Sequence, residues 1–397
     1  MRRLQPLSVG LPERGDLLFT QACETELKGT DINENDICKK EAFMKPRALK
    51  FDLIRITAIC MVLFIHVTVV LVLFYHDATF TVANVFNGLG RAGVPMFLLL
   101  SGALLLDENR PFDTKNFYRT SFLSIVLLLI GWLLFYASWR AFLLPLLRGK
   151  PTDPKHFVTY LLTLKGLYPH LWYLFMLVGA YLAVPFLRLF VKKENKPYIL
   201  GFILLSVIVG FGATTFGVFT RDADVTVGSF LTKFHFEYAT GYLPYLLIGW
   251  YLTTFPPKKA MRFVLYGLGL AAALICVFGV QAWVKDIPDI RDYLVEATTL
   301  PALLYGVGLF TLICALAGDR ETKSSIIREL SRASFGVYIL HVAVLDVLVN
   351  ILLPYKAFGE QYPLWYILTL FALTAIGSLI VVLPLSKVKG ARKIFHY

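Results

Sequence analysis

The 397-residue chain is 57% hydrophobic and only 17% charged, with a mean hydropathy of +0.65. Soluble domains carry about 45–50% apolar residues, so a soluble globular class is excluded. The formal net charge of +12 does not point to nucleic acid, because Lys and Arg cluster in short loops between apolar blocks, as membrane topology requires.

Residues 1–49 are polar, mixed in charge and without a clear period, which predicts a poorly ordered cytoplasmic tail. No apolar stretch precedes residue 50, so no cleavable signal peptide is expected. From Met44 the chain runs Lys45-Pro46-Arg47-Ala48-Leu49-Lys50, a basic collar in front of the first apolar run. Initiation at Met44 would make the preceding segment dispensable. The five cysteines show no metal-ligand spacing, and no metal site is expected. Cys60, Cys276 and Cys314 lie in apolar runs as small hydrophobes. Cys23 and Cys38 lie in the tail, where a reducing cytosol argues against a disulfide.

Apolar blocks of about 20 residues, the length that crosses a bilayer core, predict an all-α polytopic membrane bundle. The expected ten spans are 51–75, 83–106, 119–144, 171–191, 198–219, 238–255, 261–284, 296–317, 333–353 and 363–386. Residues 50–388 form one transmembrane domain on this reading, and 389–397 a basic C-terminus. Loops after spans two, four, six and eight carry the cations, among them Arg110, Arg188, Lys258 and Arg320. Both termini are therefore predicted cytoplasmic. The longer connection at 145–170 also holds several cations, but long loops weigh less in that rule.

The first span carries Arg55 and, eleven residues later, His66. Eleven residues return to nearly the same helical face, about 16 Å further along the axis. Ionisable groups in hydrocarbon are costly and usually mark a pathway or a site. The two side chains cannot touch, but they could grip two ends of one elongated ligand. Arginine suits a phosphate end, and histidine suits proton transfer near neutral pH. A snorkelling arginine and a hydrogen-bonded bundle histidine are the alternative.

The second span opens Gly90-Arg91-Ala92-Gly93-Val94-Pro95-Met96-Phe97 and continues to Ser101-Gly102, predicting a kink and a close backbone approach. Arg91 falls on the outer side at a depth near His66, or else snorkels outward. His170 stands at the outer mouth of span four, before Trp172 and Tyr173, which also fit an interfacial aromatic belt. The segment Lys233-Phe234-His235-Phe236-Glu237-Tyr238 offers Glu237 and sugar-stacking aromatics, or is a solvated loop. Span nine opens Ser334-Phe335-Gly336-Val337-Tyr338-Ile339-Leu340-His341. Asp346, five residues on, shares no face with His341. No Walker A, Rossmann or zinc motif occurs.

Four stretches in this order resemble the membrane acyltransferase 3 family: Phe51-Asp52-Leu53-Ile54-Arg55 with His66, Val94-Pro95-Met96-Phe97 with Ser101-Gly102, Leu171-Trp172-Tyr173-Leu174, and Ser334 through His341. The resemblance covers about residues 50–386 and is greatest to the branch that includes the enterobacterial common antigen O-acetyltransferase. It implies ten spans in a bacterial inner membrane, and O-acylation of an envelope carbohydrate or lipid-linked glycan. It also implies acetyl-coenzyme A, or a related acyl thioester, as cytoplasmic donor, and no tightly bound cofactor. Carried over residue by residue, it implies a catalytic role for His66 supported by Arg55. Acceptor binding is then expected from Arg91, Ser101, His170, Trp172, Tyr173, Glu237 and His341. Two rival readings stand beside it: a secondary transporter or flippase for an anionic solute, and a scaffold without chemistry.

Overall fold

A computed structural model describes residues 47–74, 78–164, 168–219, 241–279, 282, 295–354 and 359–388. The N-terminal segment, with Cys23, Cys38 and Met44, Glu237 and its neighbours, and the residues from 389 onward lie outside the described residues. The described chain is helical and contains no strand; a single bridge joins Ala48 to Glu321.

Helix α1 spans Leu49–Phe74, α2 Ala78–Gly90 and α3 Gly93–Leu105. Then come α4, Thr114–Leu147, α5, Pro154–Thr163, α6, Pro169–Phe190, and α7, Lys193–Gly217. The chain continues with α8, Leu243–Thr254, α9, Lys259–Gly279, α10, Leu300–Ala317, α11, Ser325–Leu352, and α12, Pro363–Leu385. Nine helices among the described residues are long and apolar enough to cross a membrane, with α2 and α3 counted together. The expected spans match these nine in order, and α8 accounts for the sixth. Its 12 described residues rise only about 18 Å, short of a bilayer core, and most of α8 is buried among other helices. Large apolar side chains such as Leu189, Ile208, Phe263 and Ile380 remain exposed on the helices, as lipid contact demands.

The expected kink in the second span falls at Arg91-Ala92, a turn between α2 and α3. The close approach is also present. A Cβ added at Gly102 would lie 2.0 Å from the Leu246 carbonyl oxygen, and one at Gly249 1.9 Å from that of Leu99. Helices α3 and α8 thus meet backbone to backbone, which only glycine permits.

Helix α1 lies at the centre, packed by α2, α3, α10, α11 and α12. Its N-terminus is stitched to the segment leading into α11. Leu49 N–H donates to the Arg320 carbonyl at 2.9 Å, and Lys50 Nζ pairs with Asp319 at 2.9 Å. Buried Asp52 accepts from Thr322 Oγ1 at 2.6 Å and Ser331 Oγ at 2.7 Å. Arg55 Nη1 approaches the same carboxylate at 3.5 Å. A carboxylate in the first turn also suits the positive end of the helix dipole. Asp52→Ala would take an acceptor from two buried hydroxyls and a carboxylate from beside Arg55. A loss of about 2–4 kcal/mol is expected, read as a lowered unfolding temperature in detergent. Asp52→Asn, which can accept from one hydroxyl and donate to the other, should lose less.

Candidate active site

Three histidines from three separate elements meet in the bundle. His66 comes from α1, His170 from the tight turn opening α6, and His341 from the middle of α11. Ring centroids lie 4.7 Å apart for His66 and His341, 6.0 Å for His66 and His170, and 5.5 Å for His170 and His341. His341 Nδ1 lies 2.5 Å from the Tyr338 carbonyl. A carbonyl can only accept, so this nitrogen carries the hydrogen and Nε2 presents its lone pair. That Nε2 and both nitrogens of His170 are buried without a hydrogen-bond partner among the described residues. Buried polar atoms in that condition call for an explanation such as a catalytic role or a bound group. No group of His, Cys, Asp or Glu among the described residues has the geometry to hold a metal ion.

His170, expected at the outer mouth of span four as an acceptor-binding residue, is 2% exposed and lies with His66. The Tyr338 hydroxyl donates to its carbonyl, and the Tyr136 ring sits 4.8 Å away, edge to face. The turn Pro169–Leu171 folds inward here and carries the imidazole with it.

Two cavities flank the cluster. One, of about 230 Å³, is lined by Arg55, Arg110, Ser101, Phe335 and several leucines. The other, of about 280 Å³, is lined by His66, Arg91, His170, Trp172, Tyr242 and Glu296. Tyr173 and Tyr338 line both, with ring centroids 5.2 Å apart. Arg55 and His66 therefore face different chambers of one bundle, as their spacing along α1 requires. Helix α11 runs past both as well: from Ser334 in the first chamber to His341 beside His66 it rises about 10 Å.

Arg91 shares the chamber of His66, as expected. Its Nε and Nη2 both donate to Asn87 Oδ1, at 2.9 and 2.6 Å. Asn87 in turn donates to Thr68 Oγ1 at 3.1 Å, which ties the guanidinium back to α1. Trp172 is 39% exposed and leans on Tyr242. Ser101 lies with Arg55 and donates to the Phe97 carbonyl at 2.8 Å, so it belongs to the first chamber rather than to that of His66. Asp346 bonds to Trp139 Nε1 and the Tyr168 hydroxyl, away from His341.

Residues 49–383 match the family model described as an acyltransferase domain, type 3. The chain belongs to the acyltransferase 3 family. No curated protein and no solved structure matches it. This acyltransferase is a multi-pass membrane protein whose matched region runs from the first turn of α1 almost to the end of α12. Asp52, Asn87, Tyr338 and Glu296 are residues of the site that sequence reasoning did not single out. Asn87 was the most accessible, since it precedes Arg91 by four positions, the spacing at which side chains along a helix meet.

Proposed function

We propose that this acyltransferase moves an acyl group, acetyl in the first instance, from acyl-coenzyme A to a hydroxyl of an envelope carbohydrate or lipid-linked glycan. It would do so in a bacterial inner membrane with both termini cytoplasmic. One observation carries the reading: a chamber headed by Arg55 and a chamber headed by His66 share the wall formed by Tyr173 and Tyr338. Coenzyme A is long, with phosphates at one end and the thioester at the other. Arg55 and Arg110 suit the phosphates, and the acyl end passes between the two tyrosines toward His66.

In the second chamber His66 takes the proton of the acceptor hydroxyl. The oxygen attacks the thioester carbonyl carbon, the C–S bond breaks, and the coenzyme A thiolate leaves and is protonated. His341 Nε2, with its lone pair and a ring 4.7 Å from that of His66, is suited to orient His66 and to share the proton. Arg91, held by Asn87, supplies positive charge where the carbonyl oxygen gains negative charge. Trp172, Tyr173 and Tyr242 offer faces for a sugar ring. Family membership favours this enzyme reading over a secondary transporter.

Membranes containing the protein, supplied with radiolabelled acetyl-coenzyme A and native envelope glycans, should transfer label to glycan. Membranes lacking it should not. Competition by unlabelled succinyl-coenzyme A would shift the acyl group. No transfer from any acyl-coenzyme A to any envelope glycan would overturn the donor and acceptor together.

A further inference from the structure

Beyond the two chambers, a third pocket of about 350 Å³ opens between α4, α5 and the end of α11. Arg140, Arg148 and Lys150 line it, together with Tyr160, Tyr168 and Asp346. It lies at the end of the bundle away from Arg55: along α11, Asp346 is about 18 Å beyond Ser334, which packs in the first chamber. On the loop-charge reading this is the outer face, where clustered cations run against the usual topology and call for a cause.

The pocket is built rather than incidental. The Arg140 guanidinium stacks over two rings, 5.6 Å from the centroid of Tyr160 and 5.4 Å from that of Tyr168. The carboxylate beside it, Asp346, accepts through Oδ2 from the Tyr168 hydroxyl and from Trp139 Nε1, the latter at 3.1 Å. Arg140 follows Trp139 directly in a π-helical turn, Trp139–Leu143, a local widening often found at functional positions. Three cations thus face one carboxylate, of which Oδ2 already accepts two hydrogen bonds, so positive charge is in excess.

We propose that this pocket binds a phosphate ester. A phosphate group brings up to two negative charges and three acceptor oxygens, enough to engage both guanidinium forks and the ammonium. Its source is either the phosphate of a lipid-linked acceptor or the headgroup of a membrane phospholipid. The location favours a role in catalysis. The Tyr168 ring is 4.9 Å from that of Tyr136 and 6.1 Å from that of His170, so a bound phosphate sits one aromatic layer from the histidine cluster. Only this use of the bound phosphate rests on the acyltransferase reading; binding itself does not.

The test is equilibrium dialysis of the full chain in dodecyl maltoside against radiolabelled inorganic pyrophosphate. In an Arg55→Ala background, which removes the guanidinium that heads the first chamber, one saturable site is expected, weakened by salt. Arg140→Gln with Arg148→Gln should weaken it at least about tenfold, while Lys193→Gln, at the other end of the bundle, should not. All three positions are exposed, so the fold should persist, checked by unchanged elution and unfolding temperature. Absence of saturable binding in that background overturns the proposal, as does equal weakening by Lys193→Gln. Repeating the dialysis in nanodiscs separates the sources. Weaker binding in phosphatidylglycerol than in phosphatidylcholine, lost in the double variant, assigns the pocket to a lipid headgroup. Equal binding in both assigns it to the acceptor. Acyl-transfer assays are not involved, so failure of the enzyme reading leaves this result standing.

Discussion

Replacing His66 by alanine is expected to reduce acyl transfer by about 10² to 10⁴, the usual contribution of a general base, in membranes matched for protein level. The fold should survive. His66 is only partly buried, and the stitching of α1 to the rest of the bundle depends on Asp52, Lys50 and Leu49 rather than on the imidazole. His341→Ala should cost nearly as much. If the two imidazoles handle one proton together, the double variant should be little worse than either single one, because groups acting as a unit are strongly non-additive. Independent roles would instead multiply the two losses. Activity near wild type in His66→Ala would remove the histidine from the chemistry altogether. The same assay separates direct transfer from an acetyl-histidine route, since only the latter leaves labelled protein when the acceptor is withheld.

The helices could be read from the chain because lipid imposes a length and a composition on each of them. That logic weakens for a helix enclosed by protein. Helix α8 is buried from Pro244 through Trp250, and there the bilayer no longer sets the length. The spacing from Arg55 to His66 was legible because both lie on one continuous helix, where residue count is distance. The meeting of His66 with His170 and His341 was not, because three elements far apart in the chain supply the rings. The burial of His170 was not legible for a definable reason. The sequence Pro169-His170-Leu171-Trp172-Tyr173 has the composition of an interfacial belt, and only the inward fold of its first turn buries the imidazole. Asp52 stood inside a quoted motif, yet its partners Thr322 and Ser331 lie in the segment leading into α11 and its first turns, invisible to any local pattern. Tyr338 raises the same difficulty: it is one aromatic residue among many until the fold sets it on a shared wall with Tyr173.

Replacing Arg55 by alanine is expected to raise the KM for acetyl-coenzyme A by about tenfold to a hundredfold, the value of a lost charge-assisted hydrogen bond or pair of them. The turnover number should change far less. A contact at the remote end of the donor holds ground state and transition state alike, and losing such a contact raises KM alone. Arg55→Lys should recover part of the loss, since it restores the charge without the planar fork. The fold should hold because Asp52 keeps the Thr322 and Ser331 hydroxyls. A truncated donor sharpens the test. Acetyl-pantetheine lacks the nucleotide and its phosphates, so wild type and Arg55→Ala should handle it equally well. If the variant loses turnover with acetyl-pantetheine as heavily as with acetyl-coenzyme A, then Arg55 does not hold the phosphate end. The guanidinium would instead act on the geometry of α1 that sets His66, and the division of labour between the two chambers would have to be redrawn.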